Sequence, residues 1–208
     1  MHCYTSVVKL FFLSLLLSFA PPGAHAADLT IRNPLLSIGE DGYLLSADFS
    51  INLNARLEEV VAKGVTLYFV VDFELTRSRW YWLDEQVTSR SQTYQLSYHA
   101  LTRQYRLSSG ALHQSFATLD DALRLLARLR NWQVLDRNTV SPGQTYLAAV
   151  RMRLDLTQMP KTFQVNALAN RDWNLTSEWA RWQFSPADVG SSSATVAPAA
   201  VPGGGEGK

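Results

Sequence analysis

Two carboxylates, Asp72 and Glu74, stand two positions apart in the run VTLYFVVDFE. On an extended strand this spacing sets both on one face, about 7 Å apart by strand rise. Glycoside cleavage uses two acids flanking a bond, one protonating the leaving oxygen and the other attacking or activating water. The same spacing serves ion pairs with arginines on a neighbouring strand, the routine use of acids on an exposed sheet face. Asp84 and Glu85 read as a turn. His99 and His113 fall on different expected strands, and neither has a partner at H-x-x-x-H spacing, so both read as surface or turn residues and no metal site is assigned. From residue 27 onward there is no G-x-S-x-G elbow, S-x-x-K, phosphate loop or G-x-G-x-x-G. No catalytic residue and no cofactor follow from these types and spacings.

Arginine beside large aromatics is the one enriched combination. Arg77, Arg79, Trp80, Tyr81 and Trp82 put two guanidiniums against three rings within six residues. Such mixtures grip glycans, peptides or lipid headgroups, because flat amphipathic surfaces combine apolar contact with charge. Strand alternation alone also accounts for the spacing, with Trp80 and Trp82 on a buried face and Arg77 and Arg79 in solvent. A second cluster, Trp173, Trp179 and Trp182, sits near the end of the domain, where core packing is the default for such rings.

The elements that must position these residues are mostly strands. Residues 42–53 alternate cleanly, with Tyr43, Leu45, Ala47, Phe49, Ile51 and Leu53 on one side. Residues 65–74 do the same but keep apolar residues on both faces, as a central strand does. In residues 145–156 Arg151, Arg153 and Asp155 point away from the apolar side. Residues 29–31 form a short strand that Asn33 and Pro34 end, and residues 178–184 form the last strand. Between 79 and 116 a meander is expected through 80–83, 93–98, 104–107 and 111–116, with its tightest turn at Ser108, Ser109 and Gly110.

Thr118 caps an expected amphipathic helix over 119–130, with Asp120 and Asp121 in its first turn and Arg124, Arg128 and Arg130 towards its end. A short helix over 55–63 is capped by Asn54 and stopped by Gly64, and another follows Pro160 to about Leu168. The fold class is mainly β or α+β: an antiparallel, β-sandwich-like domain with one amphipathic helix and one or two short ones.

The chain ends read differently from this body. Lys9 precedes the apolar run LFFLSLLLSFA, then Pro21, Pro22 and Gly23 lead into Ala24, His25 and Ala26. This is the pattern of a secretory signal peptide over residues 1–26, cleaved after Ala26. The apolar run is about half the roughly 20 residues needed to span a bilayer, so no integral span is expected after cleavage. The only cysteine, Cys3, leaves with the leader, which excludes disulfides, thiol catalysis and Cys-ligated metals. The chain has 19 basic and 18 acidic residues, and Lys9 also leaves, so the remaining charge is close to zero and argues against nucleic acid as a partner. Residues 27–184 make one globular domain. Residues 185–208, rich in Pro, Ala, Gly and Ser, bury too little to offset their ordering entropy and are read as a disordered tail.

Leu129 to Val134 (LRNWQV), Val150 to Asp155 (VRMRLD), Met159, Pro160 and Lys161, Asn166, Ala167 and Leu168, and Asp172 to Leu175 (DWNL) together resemble an uncharacterised exported proteobacterial family, domain of unknown function 4390. The resemblance covers nearly the whole body and excludes the tail. It implies no activity and no catalytic residues, and it suggests an association with a membrane sensor kinase of the nitrogen-regulation type. The expected function is therefore a periplasmic, non-catalytic binding or accessory module whose partner is another envelope or membrane protein. Alternatives are an envelope-polymer hydrolase using Asp72 with Glu74, and a structural assembly component whose sheets pair with another protein, which an uncovered long edge strand would favour.

Overall fold

In a computed structural model the described residues are 28–77, 85–164 and 173–186. Their strands are β1 (Asp28–Ile38), β2 (Gly42–Asn52), β3 (Leu67–Arg77), β4 (Glu85–His99), β5 (Gln104–Ser109), β6 (Leu112–Phe116), β7 (Arg128–Asp136), β8 (Tyr146–Leu154) and β9 (Ala180–Phe184). Two helices are α1 (Ala55–Ala62) and α2 (Leu119–Leu126), a further helical stretch occupies 161–164, and single 3-10 turns stand at Arg137–Thr139 and Leu156–Gln158. One sheet runs β1-β2-β7 and the other β6-β5-β4-β3-β8-β9, and every pairing is antiparallel. The mainly β, antiparallel expectation is met.

Alternation decides which faces meet. Leu67, Phe69, Val71, Phe73 and Leu75 of β3 are all completely buried, as are Leu45 of β2 and Ala148, Val150 and Met152 of β8. Tyr43 of the small sheet meets Phe184 of the large one edge-on, with ring centroids 5.2 Å apart, so the core is continuous between the sheets. Helix α1 covers part of β4 through Leu57, Val60 and Val61, and α2 lies over β5, β6 and β7 through Ala122 and Leu126. Both helices are capped as their sequences require. Asn54 Oδ1 accepts the Leu57 N–H at 2.9 Å, and Thr118 Oγ1 accepts the Asp121 N–H at 3.2 Å.

Four local expectations are corrected. The amphipathic helix stops at Leu126, and Arg128 opens strand β7 instead of closing a helix. Pairing with β2 overrides helix propensity here: Leu129 lies opposite Ala47, and Arg130 donates to the Ala47 carbonyl at 3.0 Å and pairs with the Asp48 carboxylate. Strand β1 does not end at Asn33 and Pro34 but runs to Ile38 past a bulge between Arg32 and Leu35. Asn33 takes a left-handed conformation (φ 50°), and a proline missing its N–H is tolerated at a bulge on an edge strand. Strand β4 is far longer than the expected 93–98, and Glu85 is its first residue, not part of a turn. The helix after Pro160 occupies 161–164, and its expected continuation lies outside the described residues, as do the strand expected at 80–83, the leader with its Ala26 cleavage site, and the tail from 187 onward.

Candidate functional site

The outward face of the large sheet carries the most organised polar cluster. Because β3 alternates, its buried set sends Val70, Asp72, Glu74 and Thr76 to the other side. Register then decides their neighbours: Asp72 lies between Ser91 of β4 and Arg151 of β8, and Val70 lies beside Arg153. Asp72 Oδ1 accepts from the Ser91 hydroxyl at 2.8 Å, and its Oδ2 accepts from Arg151 Nε and Arg153 Nε, each at 3.0 Å. The Asp72 side chain is 11% exposed and each arginine 32%, so the carboxylate is the buried member.

Burial pushes the Asp72 carboxyl up, but the hydrogen bonds from Ser91, Arg151 and Arg153 outweigh it and hold the group below the ordinary carboxylate range. A glycosidase acid needs the opposite environment, one that keeps its proton near neutrality. Glu74 sits across from Ser89 and Ala149, so among the described residues the expected cross-strand arginine pairing holds for Asp72 and not for Glu74.

Trp179 completes this face. The segment from Trp173 to Ser177 is tied along β8 by Leu154 N–H to the Leu175 carbonyl (2.8 Å), Ser177 N–H to the Met152 carbonyl (2.9 Å) and Met152 N–H to Ser177 Oγ (3.0 Å). That anchoring brings the Trp179 ring to the arginines, with the Arg151 guanidinium 4.4 Å and the Arg181 guanidinium 5.9 Å from its centroid. A ring within about 6 Å of a guanidinium is a favourable cation-π contact, worth about 0.5–1 kcal/mol when exposed. Of the tryptophans, Trp173 is a core residue at 2% exposure, whereas Trp182 and Trp179 are half-buried. Asp155, next along, caps the turn at Leu156–Gln158 by accepting from Thr157 and Gln158.

Of the residues singled out in the sequence, Arg77 ends β3 and pairs with Glu85 at the start of β4, its Nε 3.1 Å from Glu85 Oε2. Arg79, Trp80, Tyr81 and Trp82 lie outside the described residues. His99 and His113 are exposed and on different strands, at the end of β4 and on β6. Among the described residues no group of three or more His, Cys, Asp or Glu side chains is placed to hold a metal ion. The outward direction of Arg151 and Arg153 follows from alternation; their meeting at Asp72, and the contact of Arg151 with Trp179, do not. Alternation reveals a face but not which strand lies next to it.

Comparison with known proteins bears on the whole body. Residues 26–183 match the family described as a domain of unknown function, DUF4390. The chain belongs to this family. That DUF4390 match covers both sheets and the Asp72 cluster and stops one residue short of the end of β9. No curated protein and no solved structure matches the chain. Among the described residues no helix is long and apolar enough to cross a membrane.

Proposed function

We propose that this DUF4390 protein is exported to the periplasm by a leader cleaved after Ala26 and acts there as a non-catalytic module that engages another envelope or membrane protein. The observation that carries the reading is the state of Asp72. Asp72 is held ionised as the counter-ion of two arginines, which removes it as a general acid, and the face around it offers arginine and aromatic groups of the kind that recognise a partner. Arg79, Trp80, Tyr81 and Trp82 follow directly on β3, whose pairing with β4 continues to Arg77 opposite Glu85, and they supply further groups of the same kind. An accessory role beside a membrane sensor kinase is the specific form that the family resemblance suggests. A second reading, an assembly component whose sheet pairs with another protein, is favoured by the long open margin of β4 described below.

Two measurements test the proposal. The native protein recovered from the envelope should have the mass of a chain beginning at Ala27, and a mass retaining Met1 or Cys3 overturns export. Crosslinking in whole cells should capture a partner that an Arg77→Ala/Arg79→Ala variant captures less; identical capture removes this surface from the account.

A further inference from the structure

Strand β4 is paired on one side along most of its length but, among the described residues, on the other side for only the last six of its fifteen residues. It pairs with β3 from Glu85 to Leu96, whereas β5 joins it only from Tyr94 to His99. Among the described residues, no strand lies beside 85–93 on the β5 side. An unpaired margin presents a row of free backbone N–H and C=O groups, the template on which an added strand forms.

The side chains along this margin give the added strand a chemistry. Positions 88, 90 and 92 face inward, opposite the buried Leu75, Phe73 and Val71, yet they are Thr88, Arg90 and Gln92. Arg90 is exposed and has no carboxylate partner among the described residues. Where the margin ends, at Tyr94 opposite Ser109, a cleft of about 370 Å³ opens, lined by Tyr94, Leu107, Leu112, Leu125 and Arg128. Leu112 is 79% exposed and Leu125 41%, and Arg128, like Arg90, has no acid partner among the described residues. The margin is thus extended, cationic at two points and apolar at its far end. The one acid between 85 and 93, Glu85, is already paired with Arg77.

We infer that residues 85–93 of β4 form a strand-addition site for an acidic extended segment of a partner protein, carboxylates meeting Arg90 and Arg128 and an apolar side chain entering the cleft by Leu112 and Leu125. This rests on the partner-binding reading above and names the partner's chemistry. A second copy of the chain fits less well, because its own margin brings Arg90 and no free acid from 86–93 to meet Arg90.

The test uses isotopically labelled full-length protein and soluble peptides of about nine residues, within the usual length of a strand. One alternates valine with glutamate, a second alternates valine with arginine, and a third is the acidic peptide with a central proline. The acidic peptide should shift and protect amides within 86–93, the basic one should bind at least about tenfold more weakly at low salt, and the proline version should not pair. Arg90→Glu should reverse the order of the two charged peptides. Should that variant fail to fold, Arg90→Gln should narrow the gap between them. Equal affinity for both charges, perturbation confined to other residues, or amides of 86–93 already protected in the free chain by its own residues or by a second copy would overturn the inference. If whole-cell crosslinking still captures an Arg77-dependent partner while no peptide touches 86–93, the edge site fails and the partner reading stands. Peptide pairing with no partner captured in cells sinks the partner reading instead.

Discussion

Strand β3 and the first half of β4 lie side by side in one sheet, and they are extended for different reasons. Strand β3 is flanked by β4 and β8, and five successive inward residues are completely buried. Its neighbour over 85–93 carries Thr, Arg and Gln at the inward positions 88, 90 and 92 and has a described strand on one side only. In β3 burial of side chains drives the conformation; along 85–93 the backbone ladder to β3 holds a polar sequence straight. A strand's apolar pattern therefore reports how completely it is covered, and the absence of that pattern marks where the sheet is open.

The largest expected difference between the two regions comes from truncation. Phe73→Ala should cost about 3–5 kcal/mol, whereas Arg90→Ala, opposite it across the ladder, should change stability by less than about 0.5 kcal/mol. Denaturant unfolding of the full chain reads both, and equal losses would erase the contrast.

A smaller effect is expected where the other sheet is tightest. A Cβ on Gly42 would lie 1.9 Å from the Leu135 carbonyl oxygen, so Gly42→Ala must displace β7 backbone and should lower the unfolding free energy by about 1–3 kcal/mol. No comparable penalty should follow at Gly110, where a Cβ would meet nothing within 4 Å and only the positive φ of 57° is at stake.

Next comes the outward face of β3. Asp72→Asn keeps the shape but removes the charge that holds Arg151 and Arg153, and because both arginines are a third exposed the loss should sit near the lower end of about 1–3 kcal/mol. The pH dependence has a definite sign. Asp72 is held below its ordinary value in the folded chain, so its contribution is complete above the unfolded-state value of about 3.9 and is lost as pH falls through the lower folded value. Wild type should therefore lose stability in acid more steeply than Asp72→Asn, and parallel profiles would contradict the assignment. The contact of Trp179 with Arg151 should contribute about 0.5–1 kcal/mol, lost in Trp179→Ala on top of the area the ring buries.

How far these features could be read in advance follows from the same contrast. Strands β2, β3 and β8 were legible because half of their residues face a core, and alternation records that directly. The start of strand β7 carries a helical signal because Leu126 and Leu129 continue a helical stripe; only pairing with β2 through Leu129 and Arg130 decides otherwise. The length of β4 was invisible because an edge covered on one side imposes no pattern. The outward direction of Arg151 and Arg153 was legible, but the meeting of Asp72, Arg151 and Arg153 depends on the register of β3 against β8. The contact with Trp179 depends on how residues 173–177 are tied to β8, which no local spacing encodes.

Amide hydrogen exchange on the free full-length chain tests the central claim most directly. Amides of β3 from Phe69 to Leu75, flanked on both sides, should all exchange slowly, while along 86–93 slow and fast amides should alternate, the fast ones facing the open side. Uniform protection through 86–93 would mean that the margin is already occupied and would contradict the account.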